Sequence, residues 1–187
     1  MTQQQWLELL SRYVKPGRYQ HSLGVAQTAR DMAIAFGADP EKAYWAGLMH
    51  DVAKGFSDGL LWEYAKPLGL AEDEIYRANP QLLHGQAASV WLRDEGYCSD
   101  PEILHAIYAH TIPEREMSTL DRILFTADMI EPNRKPYPGL DKLRELAHED
   151  LDALYRTALQ QTLTYAISRG EKVHPATLIA YNACLEK

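Results

Sequence analysis

Cysteine is nearly missing from this chain. Only Cys98 and Cys184 occur in 187 residues, far apart and outside any CxxC arrangement. That excludes a disulfide framework and a thiolate zinc site, and it fits a reducing, cytoplasmic setting. No apolar run is long enough to cross a bilayer, so no membrane partner is expected. The start, Met1-Thr2-Gln3-Gln4-Gln5-Trp6, lacks the basic residues and apolar core of a signal peptide. Positive charge is also short. Lys and Arg number 19 against 26 Asp and Glu, a formal charge of −7, which argues against a nucleic-acid backbone or an anionic membrane as main partner. An anionic small substrate stays open, provided that a local cation such as a bound metal meets its charge. Repeats, low-complexity stretches and linkers are missing too, and no segment alternates as a strand would.

What remains is helical periodicity over a chain that is 46% hydrophobic. The length suits one domain, residues 1–187, with a real core. Trp6, Leu7, Leu10 and Val14 mark a first amphipathic helix, ended by Lys15-Pro16-Gly17. A second spans residues 18–36, with Val25, Ala29, Met32, Ala33 and Phe36 inward and His21 on its first turn. Asp39-Pro40 starts a third, with Asp as N-cap and Pro at the first helical position. It carries His50 and Asp51 near its end and stops at Gly55. A short surface helix at 57–66 and a turn at 71–76 follow. Asn79-Pro80 opens a helix through Leu83, His84, Ala87, Val90 and Trp91, closed by Gly96. Asp100-Pro101 opens the next, with Ile103, Leu104, Ile107 and His110 along one side. Ser118 begins one through Ile123, Leu124, Ala127 and Asp128. Helices at 141–148, 151–168 and from Pro175 complete an all-α helical bundle. Trp62 and Tyr64 suit either a homodimer contact or local packing.

The chain is organised around Gly47-Leu48-Met49-His50-Asp51-Val52-Ala53-Lys54. An imidazole and a carboxylate sit side by side behind a long apolar run, and a charged Asp in a buried helix is costly unless paired or bound to metal. Adjacent helical residues point about 100° apart, so the two side chains share no outward face but can converge on one ion between them. Lys54 overhangs the same spot, three residues after Asp51 and four after His50. His21, His50-Asp51, His84, His110 and Asp128 fall on different predicted helices, mostly near helix ends among apolar neighbours. Helical bundles build internal metal sites in this way. Nitrogen and carboxylate oxygen without sulfur suit Fe, Mn, Co, Ni or Mg better than structural zinc. A His21, His50, Asp51 and Asp128 ligand set leaves positions open for water and substrate. His84 and His110 then serve a second ion or a substrate phosphate. Asp128, between Ala127 and Met129-Ile130, is costly there if unpaired. His105, His148 and His174 read as surface or capping residues.

The order His21, His50-Asp51, Asp128 resembles the HD superfamily of metal-dependent phosphohydrolases. More closely, Arg18-Tyr19-Gln20-His21-Ser22-Leu23-Gly24-Val25, His50-Asp51-Val52-Ala53-Lys54, Asn79-Pro80 with Leu83-His84-Gly85, Tyr108-Ala109-His110-Thr111 and Ala127-Asp128-Met129-Ile130-Glu131-Pro132-Asn133-Arg134 are similar to the bacterial YqeK-type family. The likeness spans nearly the whole chain. It implies an HD-domain bundle and symmetrical hydrolysis of diadenosine tetraphosphate to two ADP. The cofactor implied is iron or a similar metal, as one or two ions at the His-His-Asp-Asp site. On that footing a metal-activated water attacks an inner phosphorus. His84 and His110 stabilise phosphate oxygens and one of them protonates the leaving group, with Asp51 also in the catalytic set. The nucleotide-binding set then includes His21, Asp51, His84, His110 and Asp128. With Asn79 as cap, the amides of Gln81, Leu82 and Leu83 offer an anion site beside His84. Lys54 and Arg134 add cationic donors, and Thr177 and Tyr181 line the ribose or base pocket. Rival readings are another HD phosphohydrolase acting on nucleotides or cyclic dinucleotides, a di-iron oxygenase, and a nucleotide sensor without turnover.

Overall fold

The computed structural model describes residues 2–70 and 73–186, and among them no residue lies in a strand. The helices are α1 (Gln3–Tyr13), α2 (Pro16–Phe36), α3 (Pro40–Met49), α4 (Asp58–Ala65), α5 (Glu74–Ala78), α6 (His84–Asp94), α7 (Pro101–Ala109), α8 (Thr119–Ile130), α9 (Leu140–Leu146), α10 (Leu151–Ser168) and α11 (Pro175–Ala183). The caps explain most starts. Asp39 and Asp100 accept from the second and third backbone amides of α3 and α7, each with Pro at the first position. Ser118 and Asp121 form a reciprocal capping box on α8. His174 caps α11 by accepting from Ala176 N at 3.1 Å. At the other end of α2, Gly37 takes a left-handed φ of 73° that only glycine adopts without strain.

Helix α2 is the axis. It packs on both α3 and α8, which also touch one another, while α7 closes against α3, α6 and α8. A continuous apolar cluster fills the space between, from Leu10 through Val25, Leu48, Met49, Ile107 and Leu124 to Leu154. The α2–α3 crossing is tight because Gly47 has no side chain: a Cβ there would lie 2.7 Å from Ala26 Cα. Gly85 similarly lets α6 meet α7, its missing Cβ standing 2.8 Å from Ile107 O. This packing gathers the N-terminal parts of α2 and α6 with the C-terminal ends of α3, α7 and α8. Three helix C-termini at one place favour positive charge there.

Several boundaries depart from expectation. Helix α3 stops at Met49 rather than Gly55, and a separate 3₁₀ turn covers Val52–Gly55. The segment after Asn79 begins as a 3₁₀ turn, Pro80–Leu83, before α6 starts at His84. Helix α2 starts at Pro16, which puts His21 on its second turn. Leu61 and Ala65 of α4 are fully buried, so that helix is half-sunk rather than superficial. Trp62 and Tyr64 are partly buried and pack against the core. Of the turn expected at 71–76, residues 71 and 72 lie outside the described residues, and α5 begins at Glu74.

Candidate metal centre

The end of α3 makes the centre possible. His50 keeps helical dihedrals as C-cap, whereas Asp51, at φ −104° and ψ 12°, has left the helix. Two neighbouring residues can therefore aim at one point. His50 Nδ1 donates to Gly47 O at 2.6 Å, His84 Nδ1 to Gln81 O at 2.7 Å, and His110 Nδ1 to Ile107 O at 2.7 Å. A carbonyl can only accept, so each Nδ1 carries a hydrogen, and in the neutral ring Nε2 is left with a lone pair turned inward. His21 is held differently, its Nδ1 lying 3.0 Å from Glu131 Oε1.

The inward atoms converge on two carboxylates. His21 Nε2 lies 2.9 Å from Asp128 Oδ1 and 3.8 Å from Asp51 Oδ2. His50 Nε2 is 3.5 Å from Asp51 Oδ2 and 3.6 Å from Asp128 Oδ1. The other oxygen, Asp51 Oδ1, faces His84 Nε2 at 3.1 Å and His110 Nε2 at 3.7 Å. Asp51 thus joins two groups of possible ligands, His21–His50–Asp51 and Asp51–His84–His110, each gathered within 4.8 Å. All of these residues but Asp128 are buried or nearly so; the Asp128 side chain is 24% exposed and opens toward solvent.

The residues fit a divalent ion. His21 Nε2 and His50 Nε2 are buried without a hydrogen bond, the carboxylate oxygens near them being close but not aligned. A buried polar atom left so costs about 1–3 kcal/mol, and an ion between the rings and carboxylates would satisfy both nitrogens. The donor set is imidazole nitrogen and carboxylate oxygen throughout, as Fe, Mn, Co or Ni prefer.

Electrostatics say the same. Burial alone would raise the Asp51 and Asp128 carboxyls, but the surrounding imidazoles, joined at Asp128 by Arg134, hold both well below the usual range. Burial would lower His50, yet Asp51 and Asp128 together lift it to about 10, a proton standing in for a cation. For His84 burial prevails, helped by the charges of His110 and Lys54, and its pKa falls to about 4. Lys54 is lowered by burial and by Arg18 and Arg134, against the pull of Asp51 and Asp128.

Cations rim the mouth. Arg18 Nη1 lies 2.5 Å from Asp51 Oδ2. Arg134 bonds the Asp128 carboxylate and donates from Nε to Asp128 O at 2.6 Å. Thr111 Oγ1 lies 2.9 Å from His84 Nε2 and 3.2 Å from His110 Nε2. The structure thus brings together His21, His50, Asp51, His84, His110 and Asp128, with Lys54 and Arg134 at their edge.

After Asn79 the expected cap is missing, and one of the three amides expected to face an anion is already bonded. The Asn79 side chain makes no cap hydrogen bond, and the Leu82 amide donates to Asn79 O at 3.0 Å. The Gln81 side chain turns to Asp58, at 3.1 Å, and the Leu83 side chain is fully buried. A 3₁₀ turn, rather than the first turn of an α-helix, follows Asn79 and takes up the Leu82 amide locally. Thr177, buried, and Tyr181, half-buried, sit on α11, which packs on α10. Among the described residues no hydrogen bond ties either to the cluster. His105 pairs with Asp121 and Glu114, His174 caps its helix and pairs with Asp73, and His148 is exposed.

Sequence reasoning passed over Arg18, Thr111 and Glu131 as site residues. Arg18 stands three residues before His21 and Glu131 three after Asp128. That same-face spacing was the available signal. A cavity of about 820 Å³ lined by His105, Met117, Asp121 and Glu186 shares no residue with the cluster.

The HD domain family model matches residues 18–133, which include every member of the cluster. The chain is 36% identical over 179 residues to the symmetrical bis(5'-nucleosyl)-tetraphosphatase of Halalkalibacterium halodurans, covering 96% of this chain and 95% of that one. It is 32% identical over 185 residues to the protein of the same name from Bacillus subtilis, covering 97% of each. Among solved structures, an HD superfamily hydrolase from Clostridium acetobutylicum superposes with a TM-score of 0.93 at 33% identity, over 100% of this chain and 98% of that one.

Proposed function

The chain belongs to the HD domain family, and from that premise we propose that it is a metal-dependent hydrolase splitting diadenosine tetraphosphate symmetrically into two ADP. The observation that carries the reading is the buried His21–His50–Asp51 group with Asp128 beside it at the solvent edge, in a chain that matches relatives named for that reaction over nearly its full length.

His21, His50, Asp51 Oδ2 and Asp128 would hold the ion. When bound, it supplies the positive charge that activates a water and polarises the phosphoryl group. Iron leads among Fe, Mn, Co, Ni and Mg as its identity. Asp51 Oδ1 with His84 and His110, all acceptors when the rings are neutral, would take a second ion; an oxygen of the scissile phosphate would need a proton on one of the two Nε2 atoms. Phosphoryl transfer asks the protein mainly for positioning and charge. Arg18, Lys54 and Arg134 meet that need at the mouth, where a polyphosphate brings several negative charges to a protein of net charge −7. Lys54, which has no hydrogen bond or ion pair among the described residues, would reach a phosphate oxygen.

Water adds to an inner phosphorus and the bond from that phosphorus to the central bridging oxygen breaks. The departing ADP keeps that oxygen. His84 is neutral in the folded protein above about pH 4 and gives its Nδ1 hydrogen to Gln81 O, so its Nε2 can only accept a hydrogen bond there and delivers no stored proton. The nucleosides extend outward from this point, and Thr177 and Tyr181 are assigned to a ribose or base. The enzyme works in the cytoplasm on a dissolved dinucleotide.

The test is product analysis. Protein loaded in turn with Fe, Mn, Co and Mg is given diadenosine tetraphosphate, and the products are separated by anion exchange. ADP as sole product is expected. AMP with ATP would mean a different phosphate register, and no turnover with metal bound would defeat the proposal.

A further inference from the structure

We propose that Glu131 is a positioning residue that fixes the ring of His21 and strengthens its Nε2 as a metal donor. The inference rests on the metal-site reading above, though not on the identity of the substrate. The other inward histidines give their Nδ1 hydrogens to neutral carbonyls three residues back in their own chain segment. His21 alone gives its hydrogen to a carboxylate, Glu131 Oε1 at 3.0 Å, and does so across 110 residues of sequence. A carboxylate behind a ligating imidazole sets its tautomer and raises its basicity.

Glu131 is built into this place. Its side chain is 1% exposed. Its second oxygen, Oε2, accepts from Asn133 N at 2.6 Å, so each carboxylate oxygen has a separate task. Arg144 grips the main chain beneath, donating to Ile130 O and Glu131 O at 3.0 Å each. Room for the carboxylate comes from Gly24 on α2, where a Cβ would lie 2.4 Å from Oε2. A glutamate serving only to cap the turn after α8 would need Oε2 alone. The second oxygen, turned toward His21, is what a capping role leaves unexplained.

The experiment compares wild type, Glu131→Gln, Glu131→Asp and Glu131→Ala without nucleotide. It measures the Mn²⁺ dissociation constant by chelator competition, the melting temperature of the metal-free protein, and the His21 tautomer by ¹⁵N NMR. Glu131→Gln is isosteric but uncharged, so its metal-free melting temperature should stay near wild type while Mn²⁺ affinity falls about 10- to 100-fold. Glu131→Asp keeps the charge and should recover part of that loss. Wild-type His21 should be the Nδ1–H tautomer, and Glu131→Ala should lose that preference. Wild-type Mn²⁺ affinity in Glu131→Gln would overturn the proposal. So would reduced affinity accompanied only by a lower metal-free melting temperature and an unchanged His21 tautomer. Because no nucleotide is present, a different reaction product would not disturb this result. A wild-type protein that binds no Mn²⁺ would overturn both this proposal and the metal-site reading.

Discussion

Arg18 Nη1 stands 2.5 Å from Asp51 Oδ2, on the side of the carboxylate that also faces His21 and His50. Asp51 is buried while the Arg18 side chain is 40% exposed, so the guanidinium reaches from solvent into the cluster. It is therefore placed to meet a phosphate entering from outside. Arg18→Ala should raise KM for the dinucleotide by about 10- to 100-fold, the usual weight of a hydrogen bond to a charged group. Arg18→Lys should fall between, because an ammonium keeps the charge but loses the planar fork. Steady-state kinetics decide. A fall in kcat with KM unchanged would show that Arg18 acts through Asp51 and not on substrate.

Asp51 is the one carboxylate shared by both ligand groups. Asp51→Asn keeps its volume and removes its charge, so both groups lose their anion together. Bound metal and turnover should both disappear, while helical circular dichroism stays at the wild-type level. Metal analysis of the purified variant is the deciding measurement, and a full complement of metal would refute the ligand assignment.

Glycine replacements separate packing from propensity. At Gly47 an added Cβ meets Ala26 Cα at 2.7 Å and Ala26 N at 2.9 Å, backbone atoms that cannot swing aside. Gly47→Ala should cost about 1–3 kcal/mol, and lower the melting temperature by roughly 3–10 °C. At Gly17, also helical, a Cβ meets nothing within 4 Å, so Gly17→Ala should stabilise by about 0.5–1 kcal/mol. Thermal melts of the two variants should move in opposite directions.

The helices were legible wherever a local signal existed. Asp39-Pro40, Asp100-Pro101 and Ser118 each mark a start that the structure keeps, and the helix expected at 151–168 is α10 as observed. The end of α3 was not, because no local residue marks Met49 as its last position, and the histidines that Asp51 faces there lie on other helices. The inward histidines and aspartates were readable because a charge inside an apolar run demands a partner. Arg18 and Glu131 gave no such alarm, since an Arg at a helix start and a Glu after a helix end look like solvated charges. Only the packing of α2 on α8, with Gly24 leaving the space, turns Glu131 into a neighbour of His21. Asn79 misled for the opposite reason. Its sequence signal is that of a cap, but the chain there prefers a 3₁₀ turn satisfied by its own carbonyls.

Metal-free protein should be most stable near pH 6.5, and the sign follows from two histidines shifted in opposite directions. His50 is lifted to about 10 when folded, from 6.5, chiefly by Asp51 and Asp128 acting against burial. A raised pKa contributes stability that is complete below pH 6.5 and is lost as pH rises through about 10. His84 is lowered to about 4 by burial. Its protonation favours the unfolded chain, so stability falls as pH drops from 6.5 toward 4. The two slopes meet between them. Bound metal requires both Asp51 and a neutral His50, so loading must release the His50 proton, and metal affinity should climb with pH across the same alkaline window. Melting curves of metal-free and Mn²⁺-loaded protein from pH 4 to pH 10 check this. The metal-free melting temperature should fall on both sides of pH 6.5, and Mn²⁺ should remove the alkaline decline. A metal-free protein that gained stability steadily up to pH 10 would show that His50 carries no proton between the two carboxylates.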